Sequence, residues 1–355
     1  MKVLFTGGGT AGHVTPNIAL IEHFQRKGCA VVYVGSVAGI ESDIINNIGI
    51  RFLAISSGKL RRYFDWQNFV DPFRIFCGFL QSLIICLRER PQVVFSKGGF
   101  VAVPLVFAAW LMRIPVISHE SDVSPGLANR LCFPLVRTIC VNFPQTTKYL
   151  KGDKALVTGT PIRNALLKGS ERAGRDLLGF TEDKPTVLVF GGSLGAARIN
   201  EAVRSVLNEL LSRYQVAHVV GAGNVDHQLN LTGYVQREFL HDEFGDVLAA
   251  ADVVVARAGA NSIYELLVTR KPHILIPLPS AASRGDQLEN AQAFSEAGYS
   301  RTLEESSLDD ETLLGLIDTV YRDRQSIVRK IEEFEVIDSV TIITDLIEAY
   351  GSRGG

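Results

Sequence analysis

Short, uninterrupted apolar runs alternate with amphipathic stretches along this chain. The runs at 3–5, 30–34, 93–95, 116–118 and 138–141 form one series, and those at 187–190, 217–220, 252–255 and 273–276 form a second. Runs that are apolar on both faces, with helical periodicity between them, predict parallel strands covered by helices on either side. The expected fold class is therefore α/β, a doubly wound architecture built twice. The seam is expected near Val157-Thr158-Gly159-Thr160-Pro161.

Residues 59–90 break the alternation. Apolar residues from Phe73 to Leu87 cover most of a helix, and Lys59, Arg61, Arg62, Arg74, Arg88 and Arg90 flank it. The stretch is shorter than the roughly 20 residues that a bilayer crossing needs. Two readings stay open. One is a helix packed on the sheet. The other uses the aromatics, Trp66 and Phe69 included, beside the basic cluster to dock on an anionic membrane face, with Phe76, Phe79 and Leu83 as lipid contacts.

Composition narrows the classes. The chain has 355 residues and is 46% hydrophobic, enough for two domains of ordinary size. A net charge of −2 gives no long-range attraction to nucleic acid, so no such partner is expected. The 5 cysteines form no C-x-x-C pair, which suits buried thiols in a reducing compartment. The chain enters a strand at once, without a signal-peptide core, and a cytosolic location is expected. No metal-binding spacing of His, Cys or acidic residues is present, so no metal site is expected.

Three glycine loops follow strands: FTGGGTAGH (5–13), FSKGGF (95–100) and FGGSLGA (190–196). Gly7-x-Gly9-x-x-Gly12 is the dinucleotide spacing, and it lets a backbone approach a diphosphate or a sugar at a helix start. The nicotinamide reading also wants an acid at the end of the second strand. That strand ends in Gly35-Ser36, and the next acid, Glu41, falls in the following helix. A tight turn without a ligand is the alternative for any single loop. Three loops at matching places point to a ligand cleft between the domains.

The segments GGGTAGHVTPNIAL (7–20), SKGGFVAVP (96–104), HESDVSPGLANR (119–130), GTPIRNALL (159–167), GGSLGAARIN (191–200), ADVVVARAGANSIYEL (251–266) and DQLENA (286–291) follow one another in a known order. Together they resemble the MurG family of bacterial glycosyltransferases over essentially the whole chain. The resemblance implies the GT-B fold, two Rossmann-like domains facing across a cleft. It also implies an inverting transfer of N-acetylglucosamine from UDP-N-acetylglucosamine to the muramyl 4-hydroxyl of undecaprenyl-linked lipid I, giving lipid II for peptidoglycan. The acceptor-binding, membrane-facing domain would be 1–158, with 336–355 packing back on it, and the donor-binding domain 159–335. The enzyme would sit peripherally on the cytoplasmic side of the membrane. No cofactor is implied, beyond a Mg²⁺ that the diphosphate could carry.

The resemblance also gives roles to positions. Thr10, Ala11 and Gly12 match the loop that meets the donor, although the family pattern has Gly at Ala11. Arg163 and Ser193 match donor-phosphate contacts, Glu265 the ribose carboxylate, and Gln287 with Asn290 the amides that read the sugar ring. Leu240 falls near the uracil contact. Two departures stand out: His119-Glu120-Ser121-Asp122 replaces H-E-Q-N, and Asp286 replaces a His. They are compatible with a divergent second copy, or with a glycolipid transferase that uses diacylglycerol or another acceptor. A non-catalytic nucleotide-binding module is the reading from another class. His13 is the candidate base, since histidine titrates near neutrality, and Glu120 and Asp122 compete for the role.

Overall fold

The computed structural model describes residues 1–37, 39–58, 67–192, 195–280 and 283–352, and of 11, 67–70 and 164 the backbone alone. The expected Ser193 and the basic-aromatic stretch with Lys59, Arg61, Arg62 and Trp66 lie outside the described residues, as do the side chains of Ala11 and Phe69. The chain forms two compact units, Met1–Ile162 with Ile337–Gly355, and Arg163–Val336.

In the first unit the strands are β1 (Lys2–Thr6), β2 (Ala30–Ser36), β3 (Arg51–Ile55), β4 (Val93–Ser96), β5 (Val116–Glu120), β6 (Thr138–Val141) and β7 (Ala155–Val157). They pair in parallel in the order β3-β2-β1-β4-β5-β6-β7. Helices α1 (Thr15–Arg26), α2 (Ile40–Asn47), α3 (Gln67–Glu89), α4 (Ala102–Leu111) and α5 (Leu127–Cys132) fall between them. The second unit has β8 (Thr186–Phe190), β9 (Gln215–Val219), β10 (Tyr234–Arg237), β11 (Val253–Ala256), β12 (His273–Leu275) and β13 (Arg301–Thr302), paired in parallel as β10-β9-β8-β11-β12-β13. Its helices are α6 (Asn164–Leu167), α7 (Glu171–Leu178), α8 (Ala197–Ser205), α9 (Leu207–Arg213), α10 (Phe244–Ala250), α11 (Ala260–Val268), α12 (Asp286–Glu296) and α13 (Asp310–Ile331). The final helix α14 (Ser339–Ser352) belongs to the first unit.

Each sheet reverses its strand order once, between β1 and β4 and between β8 and β11. Ligands of open parallel sheets collect at the carboxyl ends of the strands beside such a reversal. All three glycine loops leave from strands at these two places.

The sheet-edge strands β10 and β13 carry no continuous apolar run, whereas β3 and β7 do, in Phe52–Ile55 and Ala155–Val157, although most of their residues are partly exposed. The first unit also extends past the expected seam. Thr158 N and Gly159 N both donate to Val141 O, and His119 bonds Gly159 O, which holds 159–162 against β6 and β5.

Helix α3 is inverted relative to an ordinary surface helix. Asp71, Gly78, Ser82, Cys86 and Glu89 face inward. A Cβ at Gly78 would come within 2.0 Å of Ser56 O, so only glycine permits this close seat. Phe73, Phe76, Leu80, Ile84 and Leu87 face outward, with Phe73 68% exposed. Of the three expected lipid contacts, Phe76 is therefore exposed, while Phe79 and Leu83 are half-buried and flank the stripe.

Helix α14 packs on α1 and β4. Its Ile343 and Ile347 are fully buried in one core with Val3, Phe5, Phe24 and Phe95. Truncating either isoleucine to Ala should cost about 2–5 kcal/mol in the first unit. Urea unfolding should show the transition of the first unit moving to lower denaturant while that of the second unit stays. An unmoved first transition would mean that α14 contributes nothing to that core.

Candidate active site

The carboxyl edge of the first sheet gathers the loops that follow β1, β4, β5 and β6. The loop after β1 is a built turn. Tyr33 Oη donates to Gly7 O at 2.7 Å, and Asn17 Nδ2 to His13 O at 3.4 Å. Gly9 N donates to Glu41 Oε2 at 3.3 Å. The other oxygen of Glu41, on α2, accepts from Ser36 N at 2.9 Å and from Ser36 Oγ. A Cβ on Gly8 would lie 2.5 Å from Glu41 Oε1, and one on Gly7 would lie 2.5 Å from His13 O. The space left by these two glycines is thus filled by the protein itself. Gly9, at φ +87°, is the glycine of this loop with open space before it.

Ala11–His13 forms one 3-10 turn, and α1 starts at Thr15. Thr10 Oγ1 lies 3.1 Å from His13 Nδ1. The chemistry of His13 depends on this contact. If Nδ1–H donates to the threonine oxygen, Nε2 carries a lone pair and is the basic nitrogen. The threonine hydroxyl can accept from Nδ1–H or donate to a bare Nδ1, so the contact holds the ring in place with either tautomer.

Glu120 is buried at the end of β5. Its Oε1 accepts from Asp122 N at 3.0 Å, and its Oε2 from Gly126 N at 3.0 Å and Asn129 Nδ2 at 2.9 Å. Three hydrogen bonds occupy the carboxylate with shaping the turn 121–126. Asp122 stands in that turn, and its carbonyl accepts from Thr146 Oγ1 at 3.2 Å.

Next to these residues lies one that the sequence reading passed over. Lys97 sits in the second glycine loop and is 1% exposed. Its Nζ reaches His119 Nδ1 at 2.6 Å and Ser121 Oγ at 2.5 Å. Burial pushes it down to about 7, against the pull of Glu120 and Asp122. Its signal was a lone cation set directly after an apolar strand, in SKGG.

In the second unit, Glu265 on α11 and Gln287 on α12 follow the neighbouring strands β11 and β12. Glu265 is half-buried, and desolvation raises it to about 7, opposed by the Arg163 guanidinium. Arg163 and Glu265 are therefore within electrostatic reach. Gln287 Oε1 accepts from Leu278 N at 3.0 Å, which leaves its Nε2 end as the donor. Asn290 is fully buried, and its Nδ2 donates to Ala258 O at 3.2 Å, bracing the loop between β11 and α11. Asp286 opens α12 and pairs with Arg284 at 3.5 Å. Leu240 lies half-buried in the loop after β10. No group of three or more His, Cys, Asp or Glu comes together as a metal site among the described residues. A cavity of about 420 Å³ in the first unit lies at the other, amino end of the strands, lined by Trp110, Arg113, Arg137 and Lys154 among others.

Residues 3–141 match the glycosyltransferase family 28 N-terminal domain, and residues 186–344 its C-terminal domain. A Clostridium botulinum protein named UDP-N-acetylglucosamine--N-acetylmuramyl-(pentapeptide) pyrophosphoryl-undecaprenol N-acetylglucosamine transferase is 49% identical over 98% of this chain and 99% of its own. A Clostridium perfringens protein of the same name is 48% identical over 98% of each chain. The crystal structure of MurG from Acinetobacter baumannii superposes with a TM-score of 0.76 at 25% identity, covering 98% of this chain and 99% of that one. With both halves matched and such relatives spanning nearly its full length, the chain belongs to glycosyltransferase family 28 and, within it, to the MurG family of GT-B enzymes.

Proposed function

We propose that this enzyme transfers N-acetylglucosamine from UDP-N-acetylglucosamine to the lipid-linked N-acetylmuramyl-pentapeptide acceptor, making lipid II. The 49% identity along 98% of the chain to relatives bearing that name carries the proposal. It also favours this acceptor over diacylglycerol and over a non-catalytic module.

The second unit takes the donor. Glu265, as carboxylate, accepts from the ribose hydroxyls, and Gln287 Nε2 donates to the sugar. Arg163 meets the negative charge that develops as UDP departs. The first unit presents the acceptor. Its hydroxyl oxygen attacks the anomeric carbon, the bond from that carbon to the phosphate oxygen breaks, and His13 Nε2 takes the hydroxyl proton. Thr10 holds the imidazole ring in place through Nδ1. No resident cofactor enters; a Mg²⁺ would arrive as part of the diphosphate substrate.

The seat of the enzyme on the cytoplasmic membrane face is part of the same reading. No described helix is long and apolar enough to cross a membrane. The outward stripe of α3 supports docking, since a helix with glycine and serine inside and phenylalanine outside is built for an apolar medium at its surface. Phe107, Trp110 and Leu111 on the adjoining α4 are exposed as well. Arg74, Arg88 and Arg113, also exposed, supply charge for anionic headgroups.

Three outcomes are expected. His13→Ala should lower kcat by roughly 10²–10⁴, with a much smaller change in donor KM, and should abolish the acid limb of the kcat profile. A loss under about fivefold with the limb intact would reduce His13 to a loop-shaping residue. Secondly, because Glu265 is raised to about 7, its acceptor form is lost as pH falls through that value. Donor KM should therefore rise below about pH 7, and Glu265→Gln should show a high, flat donor KM. A pH-independent donor KM in the parent would remove Glu265 from the ribose. Thirdly, the triple variant Phe73→Ser, Phe76→Ser, Leu80→Ser should stay folded, since all three are exposed, and should sediment far less with anionic liposomes. Unchanged sedimentation would move the docking face elsewhere.

A further inference from the structure

A buried ion pair in the second unit has no part in the transfer described above. Arg257, the residue after β11, is 8% exposed. Glu305 opens a short 3-10 turn, Glu305–Ser307, that follows β13. Arg257 Nη2 lies 2.5 Å from Glu305 Oε2. Removing both charges from water offsets much of their attraction, so stability alone is a poor account of such a pair. The turn that presents Glu305 is itself anchored. Leu303 N donates to Leu275 O at 3.0 Å, and Thr312 Oγ1, in the first turn of α13, donates to Ser307 O at 2.8 Å.

The other end of the guanidinium reaches the loop after β12. Nη1 donates to Ile276 O at 3.2 Å and to Pro277 O at 3.4 Å. Pro277 O and the N–H of Leu278 belong to one planar trans peptide, so they point to opposite sides of it. Leu278 N donates in turn to Gln287 Oε1 at 3.0 Å. Arg257 and Gln287 therefore grip one peptide from its two edges. The carboxamide of Gln287 is planar as well, so a fixed Oε1 limits where Nε2 can aim. One turn along α12, Asn290 Nδ2 donates at 3.2 Å to the carbonyl of Ala258, the residue beside Arg257. The loops after β11 and β12 and the start of α12 thus close a ring of hydrogen bonds, and Glu305 holds its guanidinium from outside.

We propose that Glu305 is a positioning residue for the sugar end of the donor, acting through Arg257 and the 277–278 peptide on the side chain of Gln287. The carboxylate fixes the guanidinium, the guanidinium fixes the carbonyl edge of that peptide, and the N–H edge fixes Oε1 of Gln287. Without the carboxylate, the fork of Arg257 loses one of its partners, and the peptide it holds is free to turn. The Gln287 amide then loses its bearing. Gln287 meets the sugar and not the uridine, so the loss should fall on the sugar alone.

This inference rests on the donor site proposed above, and a four-member cycle tests it: the parent, Glu305→Ala, Gln287→Ala and the double variant. Titration calorimetry would compare UDP-N-acetylglucosamine with UDP, which lacks the sugar. Glu305→Ala should weaken binding of the sugar nucleotide by about fivefold, the weight of one hydrogen bond, and leave that of UDP within about twofold. Gln287→Ala should do the same, and the double variant should lose no more than Gln287→Ala alone. Should Glu305→Ala fail to fold, Glu305→Asp takes its place, because it keeps the charge but withdraws the carboxylate from Nη2. An equal loss for UDP and for the sugar nucleotide would overturn the proposal, since Glu305 would then only support the domain. Losses that simply multiply would overturn it too, because Glu305 would then not act through Gln287. Parental affinity in the Glu305 variant beside a weakened Gln287→Ala would sink this inference alone. Parental affinity in Gln287→Ala would sink the donor reading and this inference with it.

Discussion

The Glu41 side chain lies against Gly8, Gly35 and Gly39, its carboxylate accepts from Gly9 N and Ser36, and the first glycine loop is shaped around it. A Cβ at Gly39 would come within 2.2 Å of the Glu41 oxygens, so the three glycines mark the room that one acidic side chain needs. This changes the meaning of the dinucleotide spacing. In a nucleotide-binding loop, free N–H groups and bare backbone face a phosphate. Here one of those N–H groups already has an anion of the protein's own, delivered from the helix after β2. The space at Gly8 is filled by that carboxylate.

The two sheets place a displaced charge near each reversal of strand order. Lys97 is pushed down and Glu265 up, both to about 7, and in each case desolvation is the larger cause and an opposite charge the smaller, opposing one. Groups held away from their solution values in this way are candidates for functional sites. The first unit carries the cation and the second unit the acid.

Much of this was legible in the sequence, for identifiable reasons. Strands buried on both faces, such as Val3-Leu4-Phe5 and Val253-Val254-Val255, write themselves as apolar runs. The sheet-edge strand Tyr234–Arg237 does not, because solvent reaches it and its composition is mixed. Candidate site residues could be named where a motif carries them, at His13, Glu265 and Gln287. A residue's part was obscure where it depends on a partner far along the chain. Glu41 serves the loop at Gly9 from 32 positions away, and Lys97 meets Thr160 from 63. The facing of α3 was hidden for another reason. Its apolar residues cover most of the helix, and only the contact between Gly78 and Ser56 decides which side turns inward.

The place of α14 has a consequence for how the chain is made. A ribosome delivers the first unit almost whole by Ile162, but its core lacks Ile343 and Ile347 until the last helix emerges. At roughly 5–20 residues per second, that leaves an interval of about ten to forty seconds with an open apolar seat beside α1. The second unit, Arg163–Val336, is continuous in sequence and can close during that interval. The half of the protein begun first is thus the half finished last, and a chain stalled or clipped near its end would carry a complete second unit and a first unit still exposed to chaperones and proteases.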